Sequence, residues 1–158
     1  MRKALIIIDM QYGFINLSTK HLEKKICRYI DENSFGIVVA TQFINSKDTA
    51  CYKLGKWYGC MHGSKEDELL PPIKERADVA IQKSTYSCWT KQLKDMLKAD
   101  EIYFCGVDTD CCVLHSVYDA YNDLQNCYIL EGLCGSTTGI FVHLMALRIM
   151  RRNIVNRV

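Results

Sequence analysis

Two adjacent cysteines, Cys111 and Cys112, stand where a thiol can act as a nucleophile. They follow Ile102-Tyr103-Phe104-Cys105, a run that reads as a buried strand, and the turn Gly106-Val107-Asp108-Thr109-Asp110. They open a helical pattern that runs from Val113 to Leu124, with Val113, Val117, Ala120 and Leu124 spaced to face a core. Asp108 or Thr109 can cap that helix through a side-chain oxygen. Both thiols then fall in its first turn, where free amides and the positive end of the helix dipole favour a thiolate. A strand, a tight turn and a nucleophile at a helix start suit acyl transfer. Two small buried hydrophobes in a βα turn would give the same pattern.

Two further groups occupy comparable places. Asp9 ends the continuously apolar run Ala4-Leu5-Ile6-Ile7-Ile8, and Lys83 ends the short strand Val79-Ala80-Ile81-Gln82. In open α/β sheets, residues just past the carboxyl ends of strands face the ligand crevice. A carboxylate there can move a proton, and an ammonium there can hold the carboxylate.

The elements that must position these groups alternate along the chain. The spacing predicts a first helix over 18–31 and a second strand over 36–41. A long irregular loop follows over 42–64, carrying Phe43, Tyr52, Trp57 and Tyr58. One helical turn over 66–70 is expected to end at Pro71-Pro72. A loop over 84–89 leads to a helix capped by Thr90. The fifth strand is expected over 127–130, with a loop over 131–139. A helix over 140–150 is apolar nearly all round, which predicts burial, and 154–158 reads as an edge strand. The expectation is a single domain over 1–158 with a three-layer, Rossmann-like α/β fold. Its sheet is expected to be mostly parallel and six-stranded, with helices on both faces.

Composition narrows the partners. The chain has 158 residues, 49% hydrophobic and 24% charged, with a net charge of +2, ordinary values for one globular domain. That charge is too small to predict nucleic-acid or membrane binding. No apolar run approaches the roughly 20 residues a membrane span requires. Nine cysteines, an odd number without Cys-x-x-Cys, argue for free thiols in a reducing, cytoplasmic setting and against structural zinc.

The chain resembles the isochorismatase-like cysteine hydrolases, which include the nicotinamidases. The resemblance rests on Leu5-Ile6-Ile7-Ile8-Asp9-Met10-Gln11 with Phe14, on Lys83 with Ser87, and on Gly106-Val107-Asp108-Thr109-Asp110-Cys111-Cys112-Val113 with Tyr118-Asp119-Ala120. It implies an Asp9-Lys83-Cys112 triad, with Cys112 rather than Cys111 as the nucleophile. It also implies an oxyanion hole from the backbone amides of Asp108 and Cys112, and a cis peptide between Val107 and Asp108. Candidate substrate contacts are Phe14, Phe43, Trp57, Ser87 and Trp89. Cys112, beside Lys83 and a helix start, is expected to be the most reactive thiol.

The implied activity is cleavage of a small amide or related C–N bond through a thioacyl-enzyme, with a small-molecule substrate and a homo-oligomer, dimer or tetramer, as the assembly. An isochorismatase-type or ester hydrolase is the alternative on the same scaffold. A non-catalytic thiol protein, with Cys111 and Cys112 as a redox pair, is the alternative from another class. Nicotinamidases carry Asp-x-His and further histidines after the second strand. Here that place reads Thr41-Gln42-Phe43-Ile44-Asn45-Ser46, with His62 the nearest imidazole. No metal and no cofactor are therefore expected.

Overall fold

The computed structural model describes residues 2–154. Its strands are β1 (Lys3–Ile8), β2 (Ile37–Phe43), β3 (Val79–Lys83), β4 (Glu101–Val107) and β5 (Cys127–Gly135). Its helices are α1 (Leu22–Glu32), α2 (Ala50–Lys53), α3 (Pro71–Arg76), α4 (Lys91–Met96), α5 (Leu114–Asn122) and α6 (Ile140–Asn153). The strands form one parallel sheet in the order β3-β2-β1-β4-β5, flanked by helices.

Among the described residues the sheet has five strands rather than six. The expected edge strand over 154–158 falls outside them, apart from Ile154, which caps α6.

β1 is central, and its Ala4 to Ile8 are completely buried. That burial explains the unbroken apolar run, because both faces of a central parallel strand are covered by helices. From β1 the chain winds outward through β2 to β3. It then crosses back to place β4 on the other side of β1. The order therefore reverses between the carboxyl ends of β1 and β4, the position where open α/β sheets bind ligands.

Gly106 lets the two strands approach there. It pairs with Ile8, has φ +111, and a Cβ on it would lie 2.1 Å from the Ile8 carbonyl oxygen. Only glycine combines that backbone conformation with that approach.

Several boundaries differ from the sequence expectation for identifiable reasons. Pro71 and Pro72 begin α3 instead of ending a helix, since a proline in the first helical turn has no intrahelical partner to lose. The preceding turn is a 3₁₀ turn over Lys65–Asp67. β5 continues through the expected loop to Gly135, past a register shift between Phe104 and Gly106 on β4. Thr90 caps α4 as expected, accepting from the Leu93 amide.

Leu124 does not face the core. α5 ends at Asn122, and Leu124 has φ 59 and is exposed. α6 buries only His143, Ala146, Leu147 and Met150, while Ile140, Phe141, Leu144, Met145 and Ile149 are exposed. No helix among the described residues is long and apolar enough to cross a membrane.

Replacing Gly106 with alanine is expected to cost about 3 kcal/mol or more, because neither backbone can yield without breaking the β1–β4 pairing. Urea unfolding measures this. A loss below about 1 kcal/mol would show that the strands can separate enough to admit a methyl group.

Candidate active site

Asp9 is the first residue past β1. Its side chain is fully buried and its φ is 50, a left-handed conformation that aspartate tolerates better than most residues. Thr41, near the end of neighbouring β2, accepts from the Asp9 amide at 3.2 Å and donates to Asp9 Oδ1 at 2.7 Å. Thr41 thereby fixes the carboxylate. Sequence reasoning considered Thr41 only as a failed metal ligand, although its place at a central strand end was the available signal.

Lys83 starts two strands away, at the end of β3, and its long stem crosses the end of β2 beneath Phe43. Its Nζ lies 5.1 Å from the Phe43 ring centroid and 2.7 Å from Asp9 Oδ2. It also donates to the carbonyls of Thr85 (3.0 Å) and Tyr86 (3.1 Å) and reaches Cys112 Sγ at 3.5 Å. Burial opposes its charge, but Asp9 and Cys112 more than offset that, and the Lys83 pKa rises above its usual value.

Cys112 sits in the π-helical turn Thr109–Val113 that joins β4 to α5. Neither expected side-chain cap forms. The Asp108 carboxylate instead accepts from the Thr137 amide (2.6 Å) and hydroxyl (2.7 Å), and Thr109 Oγ1 bonds His143 Nδ1 on α6 at 2.8 Å. These bonds tie the turn to β5's exit and to α6, which holds it more firmly than a local cap would. The Val107–Asp108 peptide is cis, as the resemblance implies. The amides of Cys111 and Val113 donate to the Asp108 carbonyl at 3.0 and 3.1 Å. Ser116 donates to the Cys112 carbonyl and accepts from the Cys88 amide, bracing the loop after Lys83 against α5.

Asp9, Lys83 and Cys112 thus form one buried, contiguous cluster, as the sequence reading required. The surroundings of Cys112 oppose the expected ionisation. A hydrogen bond with the Cys111 thiol, burial and the Asp9 carboxylate raise its pKa well above the usual thiol value, against the pull of Lys83. The same hydrogen bond lowers that of Cys111. The hydrogen bond and burial both favour the neutral thiol at Cys112.

A cavity of about 200 Å³ opens above the cluster. It is lined by Phe14, Phe43, Cys51, Gly55, Trp57, Tyr86, Asp108, Cys111 and Cys112. Phe14 and Trp57 stack with their ring planes 16° apart, and Phe43 meets Trp57 at 5.9 Å, which makes one aromatic wall. Gln11 anchors that wall by bonding both the amide and the carbonyl of Phe43.

Ser87 and Trp89, expected as substrate contacts, do not line this cavity. Ser87 Oγ accepts from the Trp89 amide, and Trp89 is buried in the core with its indole N–H donating to Asp123. Cys51, Gly55, Tyr86 and Cys111 line it instead. Cys51 and Tyr86 carry no sequence signal, because α2 is a single helical turn and Tyr86 lies in a loop, neither of which has a readable periodicity.

The donors near β2 do not fit a metal. Thr41 is spent on Asp9, Gln42 on the Asp67 carbonyl, and Asn45 on the loop it closes over Trp57 and Gly59. Asp48 is exposed beside Lys53, and His62 is exposed 3.8 Å from Asp67. No group of three or more histidine, cysteine or acidic residues among the described residues could hold a metal ion.

The comparisons with known proteins agree with this fold. The family model described as the isochorismatase domain matches residues 3–158. The chain belongs to the isochorismatase family. It is a hydrolase of that family.

Solved structures share its fold. A protein from L. infantum in complex with nicotinate matches with TM-score 0.86 at 22% identity, covering 99% of this chain and 92% of that one. The pyrazinamidase of Pyrococcus horikoshii in complex with zinc matches with TM-score 0.84 at 23% identity, covering 100% and 99%. An isochorismatase-like hydrolase from Alkaliphilus metalliredigens matches with TM-score 0.83 at 18% identity, covering 96% and 92%. No curated protein matches the sequence.

Limiting iodoacetamide near neutral pH, followed by peptide mapping, is expected to label half-buried Cys111 ahead of buried Cys112. Burial pushes Cys88 up to about 11 and Cys60, Cys127 and Cys134 up to about 12, so these should stay unlabelled. Labelling led by Cys112 would show that the Lys83 charge outweighs burial and the hydrogen bond between the thiols.

Proposed function

We propose that this isochorismatase-family hydrolase is a cysteine amidase that cleaves the C–N bond of a small carboxamide. The observation that carries this reading is the buried contact of Lys83 with both Asp9 (2.7 Å) and Cys112 (3.5 Å) at the floor of the cavity. A thiol raised by burial is a poor nucleophile until a neighbouring base removes its proton, and a weak nucleophile with a positioned base is the general arrangement for covalent catalysis.

Asp9 takes the Cys112 proton as Sγ attacks the amide carbon. The backbone amides of Asp108 and Cys112 receive the oxyanion, a kind of interaction whose loss typically costs about 3–4 kcal/mol of barrier. Asp9 returns the proton to nitrogen as the C–N bond breaks and the amine leaves. Asp9 then removes a proton from water as it attacks the thioester. The acid is released and the Cys112 thiol is restored. Lys83 keeps the Asp9 carboxylate aimed and compensates the charge that passes between Asp9 and sulfur. None of these steps requires a Lewis acid.

Two chain-specific features agree with the amidase reading. A cysteine stands at the nucleophile position, and Asp9 lies close enough to the lysine–thiol contact to serve both transfers.

Incubation with a panel of small carboxamides should release ammonia and give an intact-mass increment that maps to Cys112. Asp9→Asn should reduce turnover by about 10³-fold or more, since the same group serves both half-reactions. Cys112→Ala should abolish the adduct. Reversible oxidation of Cys111 and Cys112 with no turnover on any amide or ester would overturn the reading in favour of a thiol sensor.

A further inference from the structure

We infer that the cavity accepts uncharged carboxamides with an apolar body and rejects carboxamides bearing an ionised substituent, and that the rim pair Cys51 and Tyr86 sets this limit. This inference rests on the amidase reading above and narrows its substrate class.

The cavity walls supply the first part of the argument. Phe14, Phe43 and Trp57 present hydrocarbon and ring faces, and Gly55 presents backbone. No lysine, arginine or histidine lines the cavity. Lys83 lies beneath it with its side chain only 1% exposed. Its ammonium is engaged by Asp9, by two carbonyls and by the Cys112 sulfur. It has no hydrogen left for a second anion.

The one carboxylate in the lining, Asp108, is filled by the amide and hydroxyl of Thr137. It cannot turn to meet a cationic substituent without leaving both donors unpaired. A second charge on the substrate, of either sign, would therefore enter without a counter-ion. Transfer of a charge from water into such surroundings is strongly unfavourable.

The rim supplies the second part of the argument. Cys51, Gly55 and Tyr86 line both this cavity and an adjoining surface groove, so Cys51 and Tyr86 supply the side chains of the partition between them. The neighbouring Cys51 thiol pushes the Tyr86 hydroxyl pKa up to about 12. The Tyr86 side of the partition is therefore uncharged near pH 7. It offers weak polarity and no charge.

Tyr86 is 45% exposed, and Lys83 uses its main-chain carbonyl, so the side chain can be changed without disturbing the catalytic cluster.

Benzamide, 3-carboxybenzamide and 3-amidinobenzamide probe the three charge states on one body. The wild-type enzyme is expected to cleave benzamide with a kcat/KM at least about a hundredfold above either charged analogue. Tyr86→Arg places a guanidinium at the partition. It is expected to narrow the benzamide to 3-carboxybenzamide ratio about tenfold or more by raising the carboxylated substrate, while 3-amidinobenzamide falls further. Thermal unfolding confirms that this variant folds.

Calorimetric binding to Cys112→Ala gives a readout without turnover and should show the same order of affinities. If amides are cleaved but a charged analogue is used within tenfold of benzamide, the charge filter is wrong. If Tyr86→Arg folds and leaves the ratio unchanged, Cys51 and Tyr86 do not set it. If no amide is cleaved and none forms a Cys112 adduct, the amidase reading fails instead.

Discussion

The Lys83 ammonium and the Asp9 carboxylate meet at 2.7 Å with side chains 1% and 0% exposed, and every other feature of the site depends on their neutralising each other. Either charge alone at that depth would be far too costly to keep. Together they place a carboxylate and an ammonium side by side at the carboxyl ends of the strands, with the ammonium facing sulfur. The pair needs further bonds to remain ionised, and the structure supplies them. Thr41 holds one carboxylate oxygen, while two carbonyls of the loop after β3 hold the ammonium. The pair adds little to stability beyond what a matched apolar substitute would give, but it fixes one arrangement of three loops.

The fold brings these groups together through strand order. Asp9 and Cys112 flank the switch between β1 and β4, which Gly106 brings into close approach. Lys83 comes from β3, two strands away, and only a side chain of its length reaches across. The loop after β2, tied down by Gln11 and Asn45, then covers the cluster with an aromatic wall. Rings and thiols make up much of the pocket lining, with Asp108 its one charged side chain and that carboxylate already held by Thr137.

Much of this was legible in the sequence where burial on both faces leaves an unmistakable trace. β1 and β4 read as continuous apolar runs, and the acidic, basic and thiol residues stood out at or just beyond strand ends. What failed was decided by contacts between distant segments. Asp108 and Thr109 look like helix caps, yet their oxygens are claimed by Thr137 and His143, which lie some thirty residues on. α6 looks fully apolar, yet the fold covers only one side of it. β5 hides its second half behind Gly132 and Glu131 because a register shift carries it along β4. Cys51 and Tyr86 became recognisable only once the loop folded over the thiols. The ionisation of Cys112 could not be read at all, since it follows from its depth and from which sulfur its neighbour bonds.

The most direct test of the central claim is a double-mutant cycle on stability with Asp9→Asn, Lys83→Met and the two combined, read by urea unfolding at neutral pH. If the two charges exist to neutralise each other, each single variant should lose about 3–5 kcal/mol by stranding the partner's charge. The double variant should lose no more than the worse of the two singles. A double variant whose loss equals the sum of the two single losses would contradict the account, because it would mean that Asp9 and Lys83 are held independently and the site is not organised around their pairing.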